Sequence, residues 1–286
     1  MATLPFYGMS LVLLGYPDRG LRKSREALTL AREQAHANSI AFASFSTAYV
    51  HCLRREHEEA REQADALITL TTEQGLPFWL AVGTMARGYA LVEQGDGEAG
   101  IAHIRQGLAA FRASRGEQTK TYSLAWLAQA YGKGGQVKEG LAVLAEALEF
   151  VDRTEERYYE AELYRLKGEL TLQKSRVQGP ESGVKKRRES RIANRQSKIP
   201  SPQPLALSTQ AEAEAEGCFH KAIEVAQHQQ AKSLELRATM SLARLWQRQD
   251  KKDDARQMLA AIYGWFTEGF DTKDLQEAKA LLQELA

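Results

Sequence analysis

The sequence predicts an all-α fold, a right-handed α-solenoid of six helix pairs followed by a C-terminal capping helix. The first observation is that small residues recur every 40 residues, as Gly8, Ala48, Gly88, Ala128 and Gly168. The second is that the apolar residues of each copy have the spacing of one helix face, with no alternating strand pattern. A fixed period of 20–50 residues indicates a repeat array in which each unit packs on its neighbours.

A second small position indicates that each copy contains two helices. It is occupied by glycine or alanine at residues 20, 60, 100 and 140, and after a register jump of 75 residues by Ala215 and Ala255. This position lies on one helix face with positions 24, 27 and 28 of each copy, whereas the residue at position 8 belongs to the preceding helix. Small residues on both helices allow their axes to approach to about 8–9 Å. Each copy is therefore predicted to be an antiparallel pair, with an A helix and a B helix.

Glycines mark the predicted turns within and between these pairs. Gly15, Gly95 and Gly135 follow three of the A helices, and Gly75 precedes Leu76-Pro77 at the end of the second copy. Glycine at such positions admits the positive φ that ends a helix. The predicted repeats lie near 1–37, 38–76, 77–116, 117–156, 157–173 with 209–230, and 231–269.

The last residues are predicted to cap the array. Gly269 is placed to end the last B helix, and Asp271 to begin a final helix within 271–286. Apolar residues of that helix are expected to face the array, and three charged residues are expected to face water. The apolar set is Leu275, Leu282 and Leu285, and the charged set is Lys273, Glu277 and Glu284.

Residues 174–208 interrupt the fifth copy and account for the register jump. They hold nine basic and two acidic residues, four of the seven prolines and no aromatic residue. Such a segment is predicted to be disordered because it cannot bury a core. It is either a basic arm for nucleic acid or an acidic partner, or an insertion tolerated at a loop tip. Without aromatic residues to stack on bases, nucleic acid is not the expected partner.

The composition excludes several classes of protein. The net charge of +1 gives no overall field for nucleic acid or a membrane surface, and no apolar run approaches the roughly 20 residues of a membrane span. The apolar stretch 4–16 lacks a preceding basic residue, which favours a first helix over a signal peptide. Cys52 and Cys218 form no spacing motif, and a cytoplasmic location is expected.

No catalytic chemistry is predicted. The sequence contains no phosphate-binding loop, no pair of histidines at metal-ligand spacing and no nucleophile motif. We therefore expect no catalytic, cofactor-binding or metal-binding residues, and no enzyme activity.

The repeated columns resemble the tetratricopeptide repeat. The small residues at positions 8, 20 and 27 carry the resemblance, together with the aromatic residues Tyr131 and Trp246 at position 11. HEAT repeats share the longer period but fit this pattern less well. The resemblance implies that the A helices line a concave face that holds a protein or peptide partner. The residues implied to face that partner are Phe42, Tyr49, Tyr89, Tyr122, Gln129, Glu162, Glu169, Arg237, Arg244 and Arg248.

This expected groove changes character along the array, from aromatic in copies two to four, through acidic in copy five, to basic in copy six. It would then offer aromatic anchors and an end that binds carboxylates. The alternative is that the tyrosines pack between successive A helices and the charges are only solvated.

Whole segments are similar to the C-terminal tetratricopeptide region of bacterial signalling proteins that join an adenylate or guanylate cyclase to a STAND-type predicted ATPase. These segments are 13–18, 159–169, 231–237, 241–246 and 263–271. The resemblance implies a non-enzymatic interaction or regulatory module of such a protein, or alternatively a small-molecule sensor. No cap is evident before the first helix, so self-association through an uncapped N-terminal end is a further expectation.

Overall fold

A computed structural model describes residues 3–113, 121–178 and 203–286. These residues form thirteen helices and no strand. In chain order, the helices are α1 (Thr3–Leu13), α2 (Pro17–Glu33), α3 (Ala37–Arg54), α4 (His57–Glu73), α5 (Pro77–Glu93), α6 (Gly97–Ala113), α7 (Thr121–Lys133), α8 (Val137–Thr154), α9 (Glu160–Gln178), α10 (Gln203–His228), α11 (Lys232–Arg248), α12 (Lys252–Tyr263) and α13 (Lys273–Glu284).

The first twelve helices form six pairs, and α13 follows them. The A helices α1, α3, α5, α7, α9 and α11 each contact the next A helix in the array. Each of the first five B helices packs between its own A helix and the A helix of the following pair, whereas α12 packs between α11 and α13. The fold class predicted from the sequence, a solenoid of six helix pairs with a final helix, is confirmed.

Small residues bring the two helices of a pair together, as predicted. A Cβ atom added to Gly100 on α6 would lie 2.6 Å from the carbonyl oxygen of Gly88 on α5. A Cβ atom added to Gly8 on α1 would lie 2.5 Å from the Oγ of Ser24 on α2. Neither distance is compatible with a side chain, so these contacts need residues without one.

The predicted turn glycines have positive φ, with values of 94° at Gly15, 100° at Gly95 and 74° at Gly135. Other turns reach the same left-handed conformation without glycine, as at Arg55, where φ is 61°. Few non-glycine residues occupy that region, so these turns gave no signal in the sequence.

The array closes on itself, which the sequence did not predict. Helix α11 of the last pair contacts α1 of the first. The Ser233 Oγ donates a hydrogen bond to the Val12 carbonyl oxygen at 2.6 Å, and the Gly269 backbone N–H donates to Asp18 Oδ2 at 2.9 Å. The A helices therefore form a closed ring instead of an open groove.

The C-terminal prediction needs three corrections. Helix α12 ends at Tyr263 instead of Gly269, because residues 264–272 cross to the first helix pair. Helix α13 begins after Thr272, not after Asp271. Leu275 and Leu285 are buried as expected, and Leu282 is half-buried. Glu277, however, was wrongly expected to face water, since it is half-buried in two ion pairs.

The described helices enter the predicted basic insertion from both ends, because α9 runs to Gln178 and α10 begins at Gln203. The rest of the insertion, residues 179–202, lies outside the described residues. None of the thirteen helices combines the length and apolar character that crossing a lipid bilayer requires.

Candidate partner-binding cavity

A cavity of about 380 Å³ lies within the ring of A helices and is called the central cavity here. Its walls come from α5, α7, α9, α11 and α13, with Arg55 from the end of α3. Ten charged side chains line it, five of each sign. They are Arg55, Glu93, Lys133, Glu162, Arg165, Glu169, Arg237, Arg244, Asp274 and Glu277.

Six of the ten residues predicted to face a partner line this cavity. They are Tyr89, Gln129, Glu162, Glu169, Arg237 and Arg244. Phe42, Tyr49 and Tyr122 line a different pocket, described below. Arg248 is exposed and lines neither cavity. Four of the six predicted lining residues stand on α9 and α11, and the other two stand on α5 and α7.

Arg165 joins the two predicted acidic residues of α9. Its guanidinium donates to Glu162 Oε1 at 2.7 Å and to Glu169 Oε1 at 2.6 Å. Ser241 on α11 donates to the same Glu169 oxygen at 2.9 Å. Burial favours the neutral form of Glu162, yet the adjacent Arg165 guanidinium holds the pKa of this carboxyl below its ordinary value. Both carboxylates of the acidic wall are therefore paired within the chain.

Arg237 is 10% exposed and is shared between the array and its cap. Its Nε donates to Asp274 Oδ2 on α13 at 2.6 Å, and its Nη2 donates to the Leu53 carbonyl oxygen at 2.5 Å. Although burial opposes ionisation of Asp274, the Arg237 and Arg55 guanidinium groups lower the pKa of that carboxyl. Arg237 is thus already neutralised within the chain, so it is not the free carboxylate-binding group that the sequence suggested.

Arg244 remains more accessible. Its Nη2 donates to Glu277 Oε2 at 3.0 Å, but 42% of its side-chain surface is exposed. Arg55 lies 3.0 Å from the other Glu277 oxygen and 3.1 Å from Asp274. Glu169 is exposed to the same extent as Arg244. Together, Arg244 and Glu169 offer a cation and an anion that an incoming group can reach.

Glu93 is a cavity residue that the sequence analysis missed. Only 3% of its side chain is exposed, and its carboxylate lies 2.7 Å from Lys133 Nζ and 3.4 Å from His57 Nε2. The predicted residue Gln129 donates to it from Nε2 at 2.9 Å. Glu93 stands near the end of α5, four residues after Tyr89, so the helical spacing of the inner columns could have found it.

The charged lining of the central cavity is suited to holding a group of complementary charge. Burying charged groups is costly even when they are paired. Five of these ten side chains are at most 12% exposed, so their gathering around one cavity needs a reason beyond stability; they are Glu93, Glu162, Arg165, Arg237 and Asp274. Among the described residues, no group of three or more His, Cys, Asp and Glu side chains could hold a metal ion.

A second pocket, called the aromatic pocket here, has a volume of about 300 Å³. Its walls include Phe6 and Met9 of α1, Phe42 and Phe45 of α3, and Tyr158 before α9. Tyr49 and Tyr122 form part of its lining, but each is only 2% exposed.

The aromatic rings beneath that pocket pack as a core. The Tyr49 ring centroid lies 5.0 Å from that of Tyr122 and 5.7 Å from that of Trp126. Tyr89 also stacks on Trp126, with the ring centroids 4.8 Å apart. The alternative given for these tyrosines, packing between A helices, therefore describes their surroundings. Phe42 is the predicted aromatic residue that keeps part of its surface exposed.

Solved structures share this fold at low sequence identity. RapI in its apo form aligns with a TM-score of 0.50 and 14% identity, over 99% of this chain and 84% of RapI. A Podosopora anserina putative kinesin light chain with TPR-like repeats gives 0.45 and 13%, over 85% of this chain and 95% of that one. The TPR2AB-domain:pHSP90 complex of yeast Sti1 gives 0.35 and 13%, over 97% and 95%. These are tetratricopeptide-repeat proteins, and the likeness to RapI shows a fold of that kind.

No protein-family model matches the chain, and no curated protein matches it.

Proposed function

We propose that this chain is a non-enzymatic interaction module that holds a protein or peptide partner against the inner face of its helical array. One observation carries the proposal. Four inner helices, the capping helix and Arg55 bring ten charged side chains to one cavity, and six residues predicted from the sequence to face a partner lie there.

The accessible charges of the cavity indicate which charged groups the partner carries. Arg244 and Glu169 stand on neighbouring inner helices, and each is 42% exposed. Because both signs are available, the bound segment carries at least one carboxylate and one basic group. Charged pairs of this kind contribute to specificity and to the rate of association.

The test uses a variant that neutralises the accessible charges of α9 and α11, Glu169→Gln with Arg244→Gln, and keeps Lys133, which is 45% exposed. In this variant the ion pairs Arg165–Glu162 and Arg55–Glu277 remain, so folding is expected to be preserved. The matched control is Arg112→Gln with Glu146→Gln, which removes an exposed ion pair between the outer helices α6 and α8.

Partners captured from a lysate of the source cells by the wild-type protein would be titrated against all three proteins. We expect about a tenfold or larger loss of affinity in the inner variant, and none in the control. Equal affinity for the inner variant and the wild type would refute the proposal.

A small molecule is the second candidate for the same cavity. The observation that favours it is ring closure, because a compact cavity of about 380 Å³ falls within the usual range for small-ligand sites. A thermal-shift screen of zwitterionic metabolites would test it. A shift present in the wild type and absent in the inner variant supports this candidate, and no shift with any compound rejects it.

We also propose that the module serves a larger bacterial signalling protein with a predicted ATPase and a nucleotide cyclase or another effector. Only the resemblance of the five segments named above supports this. The genomic sequence flanking the coding region tests it. Effector and ATPase domains encoded there, in frame or adjacent, are expected, and their absence would contradict the proposal.

Self-association through the first helix is a further proposal. Phe6 and Tyr7 on α1 are 54% and 52% exposed, which is unusual for large apolar side chains. Sedimentation velocity would compare the wild type with Phe6→Ser and Tyr7→Ser together. A dimer lost in the variant supports the contact, and a wild-type monomer at all concentrations rejects it.

A further inference from the structure

We infer that the ring of A helices opens and closes at one place, and that this opening gates the central cavity. This place is called the seam here. On one side of it lie α1, α2 and the end of α3, and on the other side lie α11, residues 264–272 and α13. The inference concerns regulation of the same cavity, so its functional meaning rests on the proposed function above.

The seam is the one joint in the described ring without a B helix across it. Elsewhere, the B helix of each pair packs on the A helix of the next, as α2 does on α3 and α10 on α11. No comparable packing joins α12 to α1. Residues 264–272 lie at this joint instead of a B helix. They contact residues of α2 that are about 250 positions away in the chain.

The seam combines polar contacts with apolar ones, and the apolar side chains there include Val12, Leu53 and Phe266. The Glu268 carboxylate accepts the backbone N–H groups of Asp18 at 3.1 Å and Arg19 at 2.9 Å, and it pairs with Arg19 Nε at 2.9 Å. Asp18 in turn accepts the Gly269 N–H and pairs with Arg54 Nη1, each at 2.9 Å. The apolar part includes Tyr16 against Trp265, with ring centroids 5.4 Å apart.

Helix α1 contacts α11 less extensively than any inner helix contacts the next one along the chain, so this joint is weaker than the others. Water and salt compete with its hydrogen bonds once it separates, whereas the buried apolar joints lose their hydrophobic stabilisation when they open. Inter-domain interfaces that are small and polar allow relative motion by default. The first opening of the ring is therefore expected at the seam.

The seam and the central cavity share four residues. Arg55 reaches from the end of α3 to Asp274 and Glu277 on α13, and Arg237 donates to the Leu53 carbonyl oxygen. When the seam opens, Arg55 leaves these carboxylates, and the cavity loses one wall. A partner that contacts Arg244 and Glu277 together with Arg55 would bind the closed ring better and shift the equilibrium toward it.

Spin-label distance measurements test the opening without any partner. Nitroxides at Arg22→Cys on α2 and Lys279→Cys on α13 report across the seam, and a control pair at Arg22→Cys and Glu62→Cys reports within the first two helix pairs. These positions are exposed, whereas Cys52 and Cys218 are buried. Each pair would be measured in the parent background and with Asp18→Asn plus Glu268→Gln, which weakens the seam.

We expect the seam variant to raise the population at longer distance by about five-fold across the seam and to leave the control pair unchanged. Arg112→Gln with Glu146→Gln, the outer ion-pair control, should change neither distribution. An unchanged distance across the seam in the weakened variant would overturn the inference. If the control pair also broadens, the variant has unfolded, and Glu268→Gln alone is then measured by the same criterion.

Gating is tested by a cysteine placed in the cavity, Gln129→Cys, and a polymer-linked maleimide too bulky to enter a closed ring. We expect alkylation about five-fold faster when the seam is weakened. An equal rate, despite longer distances across the seam, would show that the ring opens without gating the cavity. Neither readout uses a partner, so a negative result leaves the proposed function to be judged by its own experiment.

Discussion

Replacing Gly100 with alanine tests the close approach of paired helices on which the whole array depends. A Cβ atom at this position would lie 2.4 Å from Val92 Cγ2, 2.6 Å from the Gly88 carbonyl oxygen and 2.8 Å from the Val92 nitrogen. Two of these three atoms are backbone of α5, so side-chain rotation alone cannot relieve the contacts. Helices α5 and α6 would have to separate.

The expected destabilisation follows from two opposing effects. Overpacking a tight core contact costs about 1–3 kcal/mol. Alanine in place of glycine within a helix returns up to about 1 kcal/mol. We therefore expect Gly100→Ala to lower the free energy of unfolding by about 1 kcal/mol, the middle of the overpacking range less the gain from alanine. A glycine in the same helix with open space at its Cβ position would show only the gain.

Gly97, three residues earlier on α6, supplies that control because a Cβ atom there meets nothing within 4 Å. Urea unfolding followed by circular dichroism would compare both variants with the wild type. Because repeat arrays can unfold in stages, midpoints are compared only where the slopes agree. Gly97→Ala should be neutral or stabilising. A Gly100→Ala protein as stable as the wild type would refute the packing argument.

Three further outcomes are expected. Arg237→Gln should lower the free energy of unfolding, measured by thermal unfolding, by about 3 kcal/mol, because Asp274 and Glu162 lose the cation that they share. A smaller effect would mean that these carboxylates find other partners. Since the pKa values of those two carboxyls are lowered in the folded protein, their contribution is present above about pH 4 and is lost as the pH falls through their folded-state values. A melting temperature that does not fall between pH 5 and pH 3, roughly the range where such carboxyls titrate, would contradict this. Burial raises the pKa of the Cys52 thiol, so iodoacetamide should leave it unmodified in the native protein at neutral pH, and rapid alkylation would contradict that burial.

The sequence predicted the repeating parts of the fold because their cause is local. Small residues at Gly88 and Gly100 report a close helix contact, and Gly95 reports a turn with positive φ. Ring closure could not be predicted in this way. Ring closure depends on the small rotation from one helix pair to the next, added up over the six pairs. No single repeated position in the sequence determines that sum. The end of α12 at Tyr263 was not predicted for a similar reason. The path of residues 264–272 is determined by contacts with the first helix pair, which is far away in sequence.

The candidate site was predicted in part for the same reason. The tetratricopeptide resemblance implied that Glu162, Glu169 and Arg244 lie on the inner face, and they line the central cavity. It could not show that Arg165 pairs with both glutamates, or that Glu277 reaches Arg244 from the cap. Those pairings depend on how the repeats and the cap meet in space.

Hydrogen exchange on the complex with a captured partner tests the central claim most directly. Binding at the inner face predicts slower exchange in α5, α7, α9 and α11 on adding the partner, with the outer helices α4, α6 and α8 unchanged. Side-chain contacts can protect backbone amides by suppressing local opening, so the effect should be largest where helices otherwise fray. Protection confined to the outer helices, with the inner helices unchanged, would contradict the account.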